Sequence, residues 1–385
     1  MKKWLCILLY VFPFCLWAQI MPTTIPTVKL DSLSLDELNQ LFTEVNFAYK
    51  KKAINNFADS LCHKLNGSVL IAQNDEILVK KVSGYRKLSI RTEEGRISDT
   101  TRFELASVSK QFTAAAILQL VHQGKISLDN LLTQYFPQLP YYNITIRHLL
   151  THTSGLPEYF NFKESWFPQN RLITNKDVLN VLAKYQPKII YPVGTQFKYT
   201  NTNYALLVLI VEKVTGMTFE DYAQQNIFSP AGMTHTFYIS QREKHPASSM
   251  ATGHLKNGTA KKLHFMDGSI GDKGLYSTAE DLLLWEKAFF HEYKILPKEW
   301  VDAATQPENQ LRNHRYPNEL YGFGFRIENS PQFGRLVYHG GLWHGFLHLT
   351  LYNPQSRIYI VFLSNYRNGA HRGKSNEVLK ILRGA

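Results

Sequence analysis

Hydrophobic and polar positions follow two different periods along this chain, and the change of period divides it. Ser34 and Glu37 form a Ser-x-x-Glu capping box ahead of a helical pattern that reaches Leu65. Residues 67–72 and 76–82 then read as strands, and Asn74-Asp75 between them predicts a hairpin. Beyond a polar loop from Arg86 to Arg102, the spacing turns helical. The run after Ser107 is apolar on nearly every face as far as Val121 and stops at Gly124. A segment around His148 closes at Gly155. Thr174 to Tyr185 reads as a helix capped by Thr174 and Asp177, and Asn203 to Val214 as another, ended by Gly216. Ser277 and Glu280 predict a capping box for a helix that runs to about His291. From Tyr321 the period becomes two, with strands expected at 321–327, 334–339, 345–353 and 357–363, followed by a closing helix from Ser375 to Leu382. Strands at both ends with helices between them predict one sheet built from both termini and a helical insertion.

The start of the chain reads differently. Lys2-Lys3 precede an apolar run from Trp4 to Leu16 and a small residue, Ala18, before Gln19. The run is short for a bilayer span and has the layout of a secretory signal peptide over residues 1–18. An uncleaved anchor is the alternative. Cys6 and Cys15 lie in this segment, so the mature chain would keep Cys62 alone, which leaves no internal disulfide. Residues 19–31 read as an extended lead-in with Pro22 and Pro26. The expected location is therefore secreted or periplasmic, with no stable transmembrane anchor.

Composition changes the picture little. The 385 residues are 44% hydrophobic and 19% charged, an ordinary globular balance. The formal charge of +12 would draw a secreted protein to anionic walls or surfaces. It contains no dense basic cluster interleaved with aromatics, and Lys50-Lys51-Lys52 reads as a solvated helix face, so no nucleic acid is expected.

Candidate chemistry centres on Ser107 and Lys110, a Ser-x-x-Lys at the start of the apolar helix. Residues three apart share a helix face, so the amine can sit beside the hydroxyl. A serine is a poor nucleophile until a neighbour takes its proton, and a lysine can do so when desolvation lowers its pKa. The plain alternative is a helix cap beside a solvated lysine. His148 and His152 have a spacing that invites a metal, but no carboxylate or third histidine nearby completes one, so packing or capping roles are expected. Two further stretches supply partners. Tyr199-Thr200-Asn201 offers a phenol able to take and return a proton, and an amide that can both donate to and accept from a peptide bond. His339-Gly340-Gly341-Leu342 offers glycines that let a substrate backbone lie close, and a backbone N–H to join that of Ser107 around an oxyanion. The alternatives there are a bulge or turn and ordinary packing histidines at 339 and 344.

Ser107-x-x-Lys110, then Tyr199-Thr200-Asn201, then His339-Gly340-Gly341 resemble in order and spacing the three motifs of the serine β-lactamase and penicillin-binding-protein superfamily. The branch is that of class C β-lactamases, DD-peptidases and related esterases. Residues 149–156 and 274–282 are similar to stretches common in that branch, and the resemblance covers about residues 50–380. It implies an α/β (α+β) fold: an antiparallel sheet flanked by terminal helices, plus a helical lobe, with the active site between them. The α/β lobe would take about 50–95 and 270–385, the helical lobe about 96–269, and residues 19–49 an N-terminal extension and helix. The implied roles are nucleophile for Ser107, proton handling for Lys110 and Tyr199, an oxyanion hole from the Ser107 and Leu342 N–H groups, and substrate binding by Asn201, His339 and Gly341. No metal or cofactor is implied. The expected partner is a small-molecule or peptide substrate, with cell-wall peptide as a candidate. His339 and Gly340 stand where antibiotic-hydrolysing members carry lysine and threonine, which favours a peptidase or esterase over a true β-lactamase. A non-catalytic binding protein is the reading from another class, and the presence together of Ser107, Lys110 and Tyr199 argues against it.

Overall fold

The computed structural model describes residues 34–308, 311 and 319–383. The expected leader and the lead-in that follows lie outside the described residues. Helix α1 (Leu35–Leu65) opens on the predicted box: Ser34 Oγ accepts the Glu37 N–H at 3.2 Å, and the Glu37 carboxylate accepts the Ser34 N–H at 2.7 Å. Its second half packs against the sheet. Ile54, Ala58, Leu61 and Leu65 share a buried stripe, whereas Leu35, Val45, Phe47 and Tyr49 are exposed. Strands β1 (Gly67–Gln73) and β2 (Glu76–Ser83) form the hairpin, with Asn74 and Asp75 both at positive φ, as a two-residue type I′ turn needs.

The middle of the chain carries β3 (Phe103–Glu104), α2 (Lys110–His122), α3 (Asn175–Tyr185), α4 (Asn201–Thr215), β4 (Phe237–Tyr238), β5 (Leu275–Ser277) and α5 (Ala279–Glu286). The last part holds β6 (Glu319–Tyr321), β7 (Arg326–Ser330), β8 (Gly334–Trp343), β9 (Phe346–Asn353), β10 (Ile358–Ser364) and α6 (Lys374–Arg383). Seven strands make one antiparallel sheet in the order β2-β1-β10-β9-β8-β7-β6, so the first hairpin pairs with the last strand, from Gly67↔Ser364 to Gln73↔Ile358. Alternation along the central strands divides the core. Val69 and Ile71 of β1, with Ile358, Ile360 and Phe362 of β10, meet α1 and α6 on one face. Leu70, Ala72, Val361 and Leu363 point the other way, into the core that contains α2 and α4. Helix α2 is buried all round, as its unbroken apolar run predicts: Phe112, Ile117, Leu118 and Leu120 are all at 0% exposure. Each such side chain contributes about 1.5–3 kcal/mol on burial.

Four details differ from the sequence reading. The expected strand 321–327 is two strands, separated by a turn at Gly324 (φ +83°) that lies against α2: a Cβ there would meet the Lys110 carbonyl at 2.9 Å. The cap of α5 is Thr278, whose side chain accepts the Asp281 N–H, because Ser277 is drawn into β5. Helix α4 starts at Asn201 rather than Asn203, which puts Asn201 in its first turn. The small sheet β3-β5-β4 was not anticipated, since strands of two or three residues leave no periodicity to read.

Candidate active site

Residues Ala106–Ser109 form a single tight turn that leads into α2, and Ser107 sits on it, partly exposed. Ala106, immediately before, has φ +50°, a left-handed conformation that is uncommon for a residue with a Cβ and characteristic of sites where the surrounding structure fixes the backbone. Lys110 begins α2 and is fully buried. Its Nζ lies 3.3 Å from Ser107 Oγ and donates to Asn201 Oδ1 and to the Asp272 carbonyl, both at 2.7 Å. Three polar contacts thus offset the desolvation of one ammonium. Burial is the largest influence on this amine and brings its pKa down to about 8, against the opposing pull of the Asp272 and Glu158 carboxylates.

Tyr199 precedes α4, with its ring centre 4.9 Å from Lys110 Nζ. Its hydroxyl is buried without a well-formed hydrogen bond. Burial raises its pKa, while the Arg326 guanidinium, 5.0 Å from the ring centre, and the Ser107 side chain lower it. Asn201 is held at both ends: its amide nitrogen donates to Glu158 Oε2 at 2.8 Å, its backbone N–H to the same oxygen at 2.9 Å, and its oxygen accepts from Lys110. That orients the amide without ambiguity, because only the oxygen can accept from an ammonium.

The third stretch lies on β8. Strand β7 pairs with β8 only as far as Arg326↔Tyr338, whereas β8 continues to Trp343, so residues 339–343 are unpaired on that side. Gly341 lies so close to the turn that bears Ser107 that a Cβ would stand 2.4 Å from the Leu105 carbonyl oxygen. Leu342 is exposed, at 47%. His339 does not take the substrate-binding position expected of it. Its ring is fully buried, with Nε2 3.0 Å from the Tyr321 hydroxyl and Nδ1 2.8 Å from the Gly340 carbonyl, and burial depresses its pKa, so it braces the sheet behind Tyr199. His148 and His152 have packing and capping positions. His148 Nδ1 accepts the Thr145 N–H at 3.2 Å, and His152 is buried with its ring centre 4.2 Å from that of Tyr199.

The structure therefore brings Ser107, Lys110, Tyr199, Asn201 and Gly341 close together, with His339 buried behind them. It adds four charged residues that the sequence did not single out. Arg326, from β7, is a cation at Tyr199 and pairs with Glu319. Glu158 and Asp272 surround Lys110. Lys273 is buried, donating to Tyr159 Oη at 2.7 Å and the Ser269 carbonyl at 2.9 Å, with the rings of Phe160 and Trp343 at 5.3 and 5.5 Å. Among the described residues, the one grouping of side chains suited to a metal is Asp75, Glu286 and His291 at the hairpin tip; it includes none of the candidate site residues.

A serine beside a buried lysine at the head of a helix, next to the unpaired end of an interior strand of an antiparallel sheet, fits the β-lactamase-fold family of serine hydrolases. The chain belongs to the Beta-lactamase family, whose model matches residues 57–384. It is 31% identical over 320 residues to "Penicillin-binding protein 4*" of Bacillus subtilis (strain 168), a match over 79% of this chain and 68% of that protein. "Protein flp" of Staphylococcus aureus (strain NCTC 8325 / PS 47) is 27% identical over 317 residues, a match over 79% of this chain and 60% of that protein. The fold is similar to the crystal structure of a penicillin binding protein from Bacillus halodurans, with TM-score 0.72, 29% identity and coverage of 84% of this chain and 97% of that one. It also resembles a D-amino acid amidase from Ochrobactrum anthropi SV3, with TM-score 0.72, 21% identity and coverage of 87% and 99%. That last likeness concerns the fold alone. No helix among the described residues is long and apolar enough to cross a membrane.

Proposed function

We propose that this chain is a secreted or periplasmic serine hydrolase that cleaves an amide or ester, with D-amino-acid peptides of the cell wall as a candidate substrate, through an acyl-enzyme on Ser107. The observation that carries this reading is the fully buried Lys110 amine at 3.3 Å from Ser107 Oγ, with its pKa lowered to about 8. Neutral Lys110 takes the Ser107 proton as Oγ attacks the carbonyl carbon. Negative charge then develops on the carbonyl oxygen, and the Ser107 and Leu342 N–H groups are the donors assigned to it. Tyr199, whose pKa is raised by burial, stays protonated in the free protein and returns a proton to the departing nitrogen or oxygen. Water, deprotonated by the same pair, releases the acyl group and restores Ser107. Asn201 fixes Lys110 and presents its amide edge to the substrate, while Gly341 keeps β8 against the nucleophile turn.

True β-lactamase turnover is the second reading, favoured by Arg326, which supplies a cation beside Tyr199 where the third motif has no lysine. The test is labelling with a fluorophosphonate and a fluorescent penicillin, alongside turnover of D-aminoacyl amides, simple esters and a chromogenic cephalosporin. Labelling that Ser107→Ala abolishes is the expected result, with amide or ester turnover exceeding that of the cephalosporin. A folded protein that neither probe labels would refute the acyl-enzyme.

A further inference from the structure

Away from Ser107, three side chains of the kinds that hold metal ions meet. Asp75 stands in the turn between β1 and β2, Glu286 is the last residue of α5, and His291 ends the stretch of π-helical turn that follows, Lys287–His291. Tyr352 of β9 closes the group; it pairs with Val337, towards the opposite end of β8 from Gly341. Asp75, Glu286 and His291 each offer one oxygen or nitrogen, and these atoms lie within 4.8 Å of one another. His291 is the hub. Its Nδ1 is hydrogen-bonded to Asp75 Oδ1, and its Nε2 lies 2.9 Å from the Tyr352 hydroxyl and 3.1 Å from Glu286 Oε1.

The backbone builds this group in two ways. A π turn bonds residue i to i+5, as the Glu292 N–H does to the Lys287 carbonyl at 2.8 Å, so Glu286 and His291 stack one turn apart. In a regular α-helix five residues would set them about 140° apart around the axis. Such widened turns are rare and recur at functional sites. The hairpin tip is in turn fastened to the turn after β9. The Asn74 N–H donates to the Arg357 carbonyl and the Gln73 side chain to the Ser356 carbonyl, both at 3.1 Å, and the Arg357 guanidinium holds Asp75 Oδ2 at 2.7 Å. One oxygen of Asp75 is thereby occupied and the other faces His291. Glu286 is the member left without a partner. It is 1% exposed, its Oε1 accepts no hydrogen bond while His291 Nε2 is directed at Tyr352, and among the described residues its one ion-pair contact is that histidine. A buried carboxylate is costly unless a donor or a cation meets it.

We propose that Glu286 Oε1 and His291 Nε2 bind a divalent transition-metal cation of the zinc type, with Asp75 orienting the imidazole and the Tyr352 hydroxyl beside the ion. A hydrogen bond from Nδ1–H to Asp75 leaves the Nε2 lone pair for the metal, the arrangement in which a carboxylate fixes the tautomer and the ring of a ligating histidine. A mixed nitrogen and oxygen set favours zinc over magnesium or calcium, which take oxygen ligands. The ion ties the hairpin tip to the end of α5 and to β9, so its effect is on stability. The group shares no residue with the candidate site around Ser107, and the proposal stands whether or not Ser107 is a nucleophile.

The test is calorimetric titration of the chelator-treated, desalted protein with zinc chloride, beside thermal melts with and without the ion. The expected result is one saturable equivalent at this group and a Tm raised by about 3–5 °C at a hundredfold excess of zinc over Kd. Glu286→Gln and His291→Ala should each weaken that binding by about tenfold or more, and Asp75→Asn, on the half-buried turn, by about tenfold. The order of melting separates an ion site from a simple buried hydrogen-bond network. In chelator, Glu286→Gln should melt at or above the parent, because an unpartnered carboxylate has gone; with zinc it should melt below the parent. Glu286→Gln melting below the parent by the same margin in both conditions would overturn the proposal. So would the absence of saturable zinc binding below millimolar concentrations, binding of equal strength in Glu286→Gln and Asp75→Asn, or a preference for magnesium or calcium over zinc. If His291→Ala fails to fold, Glu286→Gln and Asp75→Asn carry the same decision. Fluorophosphonate labelling of Ser107 in the parent should be the same with and without chelator, and labelling that needs zinc would refute a purely stabilising ion.

Discussion

Replacing Gly341 by alanine tests whether the separation between β8 and the nucleophile turn sets the rate. An added Cβ would lie 2.4 Å from the Leu105 carbonyl oxygen and 3.1 Å from the His348 ring. An ordinary carbon–oxygen contact is roughly 3.3 Å, so strand and turn must part by about 1 Å. Neither side yields readily: β8 is paired with β9 from Val337↔Tyr352 to Trp343↔Phe346, and the turn contains the constrained Ala106. Misplacing catalytic groups by about 1 Å costs on the order of 100-fold in rate. Overpacking itself costs about 1–3 kcal/mol of stability, which lowers Tm by a few degrees and leaves the protein folded. The control is Gly340→Ala, where the nearest atom to the added Cβ is the His348 carbonyl oxygen at 3.7 Å, an ordinary contact. Initial rates on the best ester substrate, measured beside thermal melts, decide it. The expected outcome is a fall of about 100-fold in kcat for Gly341→Ala and less than about threefold for Gly340→Ala. Gly341→Ala with the kcat of the parent, or equal losses in both variants, would refute the reasoning.

Two further predictions concern protons. Because Lys110 must be neutral to accept the Ser107 proton, acylation should rise with pH through a midpoint near 8, and at pH 7 only about a tenth of the protein carries the active form. A rate profile flat from pH 6 to 9 would remove Lys110 from the role of base. The charges around Lys110 should move that midpoint in opposite directions. The Asp272 carboxylate raises the Lys110 pKa, so Asp272→Asn should shift the midpoint to lower pH; Arg326 lowers it, so Arg326→Gln should shift it to higher pH. Shifts in the same direction, or none in either variant, would contradict the arrangement.

The legible part of the candidate site was the group of side chains that the proposed chemistry uses. Ser107, Lys110, Tyr199 and Asn201 sit in short local patterns whose side chains have few other uses together, and Lys110 is announced by the apolar run behind it. Arg326, Glu158, Asp272 and Lys273 were not legible, because each is a single charge whose partner depends on distant packing. Arg326 reaches Tyr199 only because β7 pairs with β8 in the register Arg326↔Tyr338. His339 was misread for a related reason: its place in the motif says nothing of which face of β8 its ring takes, and the ring turns inward to Tyr321. At the start of α5 the local signals tie. Ser277 and Glu280, or Thr278 and Asp281, serve equally well as a cap pair on paper, and pairing of Phe103 with Ser277 decides between them. The long elements were legible because their periods extend over many residues; β3, β4 and β5 are too short for that.

The pairing of β1 with β10 also dictates the order of events at birth. Gly67 cannot meet Ser364 until some three hundred further residues have been synthesised, so the first hairpin waits for its partner. Cleavage or early termination before Ile358 would strip the sheet of an interior strand, β10, and leave two unmatched edges, β1 and β9, open to other chains. A shortened product would therefore expose open strand edges as well as lose part of the fold.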